Sequence, residues 1–262
     1  MGDDSGMRNA LVIIDPQNDF CDHRGSLYVD GAAADIARLS RYIAERSADV
    51  SAVFISLDSH DSIAVFHPGF WADERGARPD AYTLITADDF RSGKWSAASG
   101  EHKPFAERLF AVMGRKGAGA LMVWPEHCVV STWGHGIADT LRDALRQWRE
   151  KTGAPVRYVF KGENPYTDQF SIFEGVDDSY PETAFNESLF RQLAEFDSVT
   201  FAGEALTHCV QESILHYMRR LGAAKQTVRL LTDCASAVSG FSRGASLSLL
   251  ADAGVEFAAS EA

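Results

Sequence analysis

Four types of side chain able to attack a carbonyl or move a proton stand at or just beyond the ends of apolar, strand-like runs of this sequence. ALVIID ends in Asp15, AVFISLD ends in Asp58 with His60 two residues on, VRYVFK ends in Lys161, and SVTFAG passes through a short turn to Cys209. One aspartate after a strand is commonly only a helix cap or a turn residue. Several such groups at the same end of several strands point to chemistry, because open parallel sheets bind ligands outside the carboxyl ends of their strands. A cysteine opening a helix gains from the free N–H groups and partial positive charge there, which favour thiolate and can hold an oxyanion. A nearby Lys161 ammonium is expected to lower the thiol pKa further. Asp15 can take the thiol proton and return it to a leaving amine, or activate water in a second half-reaction. Cys209, Asp15 and Lys161 together describe an acyl-transfer hydrolase.

A second group has ligand character. Asp58 and His60 can turn toward one point from an extended backbone, and His127 in WPEHC follows a proline that stiffens its approach. Two imidazoles and a carboxylate suit Zn²⁺, Fe²⁺ or Mn²⁺, with water or substrate in the remaining positions. Spacing alone leaves His67, His102 and His135 as competing ligands. Phe20 and Trp71 are nominated as walls of a ring-binding pocket. Asp19 and Gln17 are expected to brace the loop after Asp15, and His208 to be a turn residue. Cys21, Cys128 and Cys234 read as small buried hydrophobes.

The elements that must position these groups alternate. Strand-like runs at 10–15, 52–58, 156–161, 198–203, 227–233 and 255–259 are nearly all apolar, as expected of strands buried on both faces. Helical patterns at 33–45, 137–151, 184–195, 210–221 and 242–253 lie between most of them, with Gly254 placed to end the last. Strand alternating with helix predicts an α/β fold, an open parallel sheet with right-handed crossovers and helices on both faces. Residues 61–121 break the rhythm with Gly, Pro, Asp and aromatics; a surface insertion and a substrate-covering lid both fit.

At 262 residues, with 45% hydrophobic and 24% charged content, the chain is expected to be a single domain, 1–262, carrying that insertion. A net charge of −12 without clustered Lys and Arg argues against nucleic acid and anionic membrane and for a small-molecule partner. The apolar runs are far shorter than a membrane span, the opening MGDDSGMRN is polar, and the four cysteines lack any CxxC spacing. A cytoplasmic protein is expected.

The motifs resemble, in order, those of the isochorismatase-like superfamily of cysteine hydrolases, and within it the nicotinamidases. ALVIIDPQNDF resembles the opening strand whose first Asp is catalytic, SLDSH and WPEHCVVST the metal-binding segments, VFKGENPYTDQFSIFEG the lysine segment, and GEALTHCVQES the nucleophile turn. The resemblance implies a six-stranded, mostly parallel three-layer sandwich. It implies Cys209, Asp15 and Lys161 as catalytic, Asp58, His60 and His127 as ligands of one divalent metal, zinc first, and the N–H groups of Ala205 and Cys209 as an oxyanion hole. It further implies a non-proline cis peptide between Glu204 and Ala205, and a homo-oligomer. The activity implied is hydrolysis of nicotinamide, or a similar heteroaromatic carboxamide, to the acid and ammonia through a thioester. An amidase for another small amide or ureide, or a catalytically silent binding member of the fold, are the alternatives. The chain departs from the family pattern at Glu204, where an apolar residue is usual, and at Leu206 and Thr207, where Thr-Asp is usual. It also has a longer stretch between His60 and His127.

Overall fold

The computed structural model describes residues 7–261. The first six residues of the polar opening segment lie outside that range. Six strands form the main sheet: β1 (Asn9–Ile14), β2 (Ala52–Asp58), β3 (Val156–Lys161), β4 (Ser198–Gly203), β5 (Thr227–Leu231) and β6 (Glu256–Ala258). Their order is β6-β5-β4-β1-β2-β3, and every pairing is parallel. The principal helices are α1 (Ala32–Glu45), α2 (Lys103–Arg115), α3 (Asp139–Thr152), α4 (Glu187–Ala194), α5 (Gln211–Leu221) and α6 (Arg243–Asp252). Gly254 follows α6 with φ +88°, a left-handed stop.

Strand side chains alternate between two apolar layers, as the pleat requires. Leu11 and Ile13 of β1 point to the face covered by Ile36, Leu39 and Ile43 of α1 and Leu141, Leu145 and Trp148 of α3. Ala10, Val12 and Ile14 point to the opposite face, covered by α4, α5 and α6 through Leu189, Leu193, Ile214, Tyr217 and Leu250. The sheet is therefore the centre of a three-layer sandwich.

Two strands differ from the expectation of burial on both faces. β3 and β6 are the sheet edges, and Tyr158, Phe160 and Phe257 are exposed there. An all-apolar run reports hydrophobicity, not the number of neighbours a strand finds.

Residues 61–121 run from the end of β2 through two short antiparallel pairs, Trp71–Ala72 with Ser96–Ala97 and Leu84–Thr86 with Ala120–Met122. Helix α2 lies between Ser96–Ala97 and Ala120–Met122 in sequence. Thr86 and Asp89 form a reciprocal capping box on the short helix Ala87–Arg91. Phe66, Phe70, Trp71, Leu109 and Phe110 from this segment enter the same apolar cluster as Leu11 and Ile13. Among the described residues, no helix is long and apolar enough to cross a membrane.

Candidate active site

Register brings the first pieces together. In the β2–β3 ladder Asp58 lies opposite Lys161, so the two side chains leave the sheet side by side, and Lys161 Nζ is 2.8 Å from Asp58 Oδ1. β1 lies on the other side of β2 and delivers Asp15, whose Oδ2 is 2.9 Å from the same ammonium. Asp15 stands at φ +42°, an unusual conformation for a non-glycine residue, and Ser56 fixes it from both ends: the Asp15 N–H donates to Ser56 Oγ, and that hydroxyl donates to Asp15 Oδ1. Lys161 also donates to the Gln169 carbonyl and reaches Cys209 Sγ at 3.6 Å. Asp15, Asp58 and Cys209 each offer an atom within 4.8 Å of the others.

Cys209 sits in one wide helical turn, Leu206–Val210, that leads into α5. The turn begins at a cis peptide between Glu204 and Ala205. Close strand contact requires glycine just before it: a Cβ on Gly203, at φ +107°, would stand 2.1 Å from the Ile14 carbonyl oxygen.

The electrostatics correct one expectation. Burial pushes the Cys209 thiol well up; Lys161 opposes this, but Asp15 and Asp58 add to it. The resting group is thus a thiol, and activation falls to a base at the moment of attack. Burial likewise raises the Asp15 carboxyl against the pull of Lys161, making it a better proton acceptor than an ordinary aspartate. Burial disfavours the Lys161 ammonium, yet Asp15 and Asp58 outweigh it and hold the group charged.

Asp58, His60 and His127 form a second cluster, all buried, with ligand atoms within 4.8 Å of one another. His60 Nδ1 lies 3.0 Å from the Gly162 carbonyl and His127 Nδ1 2.7 Å from that of Pro125. A carbonyl only accepts, so both Nδ1 atoms carry a proton and the two Nε2 atoms are the candidate ligand atoms; Asp58 outweighs burial and raises the His60 pKa, so a bound cation would displace a proton from His60 Nε2. Those Nε2 atoms face Asp58 Oδ2 at 3.0 and 3.8 Å. Gly162, at φ +73°, wraps the cluster so closely that a Cβ would stand 2.4 Å from His60 Cε1. Gln17 fixes the Asp58 backbone by accepting from its N–H and donating to its carbonyl, and Asp19 accepts from the Cys128 N–H beside His127. A divalent cation fits this donor set. Burial lowers the His127 pKa to about 4, so that ring is neutral and available as a ligand.

The competing histidines stand elsewhere. His102 stacks on Phe70 within the 61–121 segment and His135 bonds the Ser59 hydroxyl. His67 packs behind His127, its Nε2 3.3 Å from His127 Nδ1, outside the three-residue cluster.

Above both groups is a small cavity lined by Cys209, Asp58, His60, His127, Ala205 and Phe20 among others. Trp71 does not reach it. That indole is fully buried against Phe70, Phe90 and Phe110, and its N–H donates to the Val65 carbonyl at 2.6 Å. The aromatic wall is instead Phe66, Trp124 and Phe170 with Phe20. Two polar groups missed in the sequence also face the cavity, Asp168 and His208. Trp124 was readable from its place in WPEHC; Asp168 and His208 carried no spacing signal.

No family model matches the chain. Among characterised proteins, the nicotinamidase/pyrazinamidase of Mycobacterium tuberculosis is 29% identical over 253 residues, which cover 96% of this chain and 98% of that one. The nicotinamidase of Saccharomyces cerevisiae is 24% identical over 206 residues, 79% of each chain. The solved yeast nicotinamidase superposes with a TM-score of 0.68 at 19% identity, covering 95% of this chain and 98% of that one. The Pyrococcus horikoshii pyrazinamidase, solved in complex with zinc, gives 0.57 at 17% identity over 96% of this chain and 99% of that one. Over most of its length the chain is thus similar to two characterised nicotinamidases, and it shares the fold of the solved ones. The buried Cys, Asp and His groups gathered at its strand ends are the side chains a hydrolase requires. The three-layer sandwich is the fold shared with those solved structures.

Proposed function

We propose that this protein is a metal-containing amidohydrolase that converts nicotinamide, or a closely similar heteroaromatic carboxamide, to the carboxylic acid and ammonia. The observation that carries this reading is the placement of Lys161: one ammonium touches Asp15, Asp58 and Cys209 and so joins the nucleophile group to the metal-ligand group under one aromatic-walled cavity. The two curated relatives named above, whose names state nicotinamidase activity, support the substrate class.

Asp58, His60 and His127 would hold the divalent ion, and when bound it would supply a Lewis-acidic anchor for a substrate heteroatom. Zinc is proposed because the donor set suits it and the Pyrococcus neighbour was solved with zinc. In the reaction, Asp15 removes the Cys209 proton as Sγ attacks the carboxamide carbon. The oxyanion formed as the C=O π bond breaks is held by the N–H groups of Ala205 and Cys209. Asp15 passes the proton to the nitrogen, the C–N bond breaks and ammonia leaves a thioester. Asp15 then removes a proton from water, whose oxygen attacks the thioester carbon; the C–S bond breaks and the sulfur regains a proton. Lys161 keeps Asp15 aimed at Sγ throughout. Phe20, Phe66, Trp124 and Phe170 line the cavity and would wall a planar ring.

We read 1–262 as one domain in which 61–121 is an insertion, and the molecule as a cytoplasmic homo-oligomer. Four free, buried cysteines suit a reducing compartment. The test is ammonia release from a panel of heteroaromatic carboxamides, aliphatic amides and ureides by wild type and Cys209→Ala, with metal analysis of both preparations. Turnover confined to the ring carboxamides, abolished in Cys209→Ala at unchanged metal content, is expected. Substantial activity in that variant would sink the assignment, and a response limited to aliphatic amides or ureides would replace the substrate class.

A further inference from the structure

The residue at position 204 is a glutamate in a place where its side chain has no solvent: Glu204 is fully buried at the start of the nucleophile turn. Its Oε2 accepts from the Ser236 N–H at 3.1 Å, while Oε1 is buried without a hydrogen-bond partner among the described residues. The carbonyl of the same Ser236 accepts from the Leu206 N–H at 2.8 Å. The main chain of one residue thus grips both flanks of Ala205. Ser236 is itself anchored: its hydroxyl donates to Asp35 of α1, and Asp35 pairs with Arg38, which bonds the Asp233 carbonyl. On the other side, the Glu204 N–H donates to the Ile14 carbonyl at 2.8 Å, next to Asp15.

We propose that Glu204 is a positioning residue for the hydrolytic reaction, acting through Ser236 to fix the Ala205 N–H where the oxyanion develops. This rests on the function proposed above. A leucine or valine there would fill the space but leave the Ser236 N–H without its acceptor, freeing one of the two grips on Ala205. A glutamine would keep the acceptor. Burial and the neighbouring Asp35 raise the Glu204 carboxyl well above its ordinary range, which favours the neutral acid that glutamine mimics. Donors preorganised toward an oxyanion act on the transition state far more than on the bound amide. The effect of loosening one therefore belongs in kcat.

The experiment compares wild type, Glu204→Leu, Glu204→Gln and Ser236→Ala in amide turnover and in inhibition by pyridine-3-carbaldehyde. That aldehyde accepts Cys209 Sγ at its carbon; the C=O π bond opens and the thiol proton ends on the oxygen, giving a tetrahedral hemithioacetal. Glu204→Leu is expected to lower kcat by about 10- to 100-fold, less than outright loss of a donor. It should weaken aldehyde inhibition in step and leave amide KM within about threefold, a split that general loosening of the fold does not produce. Glu204→Gln should stay within about threefold of wild type throughout, because it restores the acceptor. Should the leucine variant not fold, Ser236→Ala decides, with an expected kcat loss of about three- to tenfold from release of the Asp35 anchor. An unchanged kcat in Glu204→Leu, or in Ser236→Ala where that variant decides, would overturn the role, as would a Glu204→Leu defect that glutamine does not rescue. A wild-type protein inert toward every amide would overturn the proposed function, and this role with it.

Discussion

Lys161 is enclosed by groups that all depend on its charge. Burial alone would discharge an ammonium, and two carboxylates keep it charged; after His60, it is in turn the main group keeping Asp58 ionised, and it holds Asp15 within reach of Cys209. Asp168 lacks such a partner. Its carboxyl borders the same cavity with no side chain among the described residues bonded to it, and burial, with Asp58 adding to it, raises its pKa to about 7. A carboxyl raised above its unfolded value gives its full contribution below the unfolded pKa and loses it as pH climbs toward the folded one. From about pH 4 to 7, then, Asp168 destabilises the folded protein progressively, by at most about 4 kcal/mol. In metal-stripped protein, Asp168→Asn should melt above wild type at pH 8 and show no such advantage at pH 4. Thermal unfolding of both proteins across that range checks it; a difference independent of pH would mean the group titrates normally.

At the scale of elements, the turns after the strands do most of the positioning. The turn after β3 shows this at the metal-ligand cluster: Gly162 has φ +73° and leaves no room for a Cβ beside His60 and Asp58. Gly162→Ala must strain the backbone or push His60 aside. We expect metal affinity to fall at least about tenfold, as for loss of a residue that orients a ligand. Titration of the stripped variant with zinc would reveal it, and wild-type affinity would show that His60 moves freely. Much of this scale was legible in the sequence, because six apolar runs alternating with amphipathic ones leave few other folds. Asp15, Asp58, Lys161 and Cys209 were readable for the same reason, each sitting at a strand end. Exposure on β3 was not, since an edge strand differs from a central one only in its neighbours. Nor was the Glu204, Ser236 and Asp35 network, whose members are 201 residues apart at the extremes and carry no periodicity. The thiol state of Cys209 was misjudged because the helix position and Lys161 were weighed without the burial that outweighs them.

The whole molecule places two apolar layers on one sheet, and residues 61–121 share the layer that also holds α1 and α3. Trp71 is the test of how firmly. Expected as a wall of the substrate pocket, it lies instead inside that layer, fully buried, its indole N–H bonded to Val65 and its ring against Phe70, Phe90 and Phe110. Removing such a side chain leaves a cavity and an unpaired carbonyl, a loss of about 3–5 kcal/mol. If 61–121 folds with the rest, Trp71→Ala should lower the stability of the entire protein in one cooperative urea transition, with tryptophan fluorescence and circular dichroism coinciding. Amide KM of the folded fraction should be unchanged, because the ring does not line the cavity. Two separated transitions would instead make the segment an independently melting lid, and a KM effect at full stability would return Trp71 to the substrate wall.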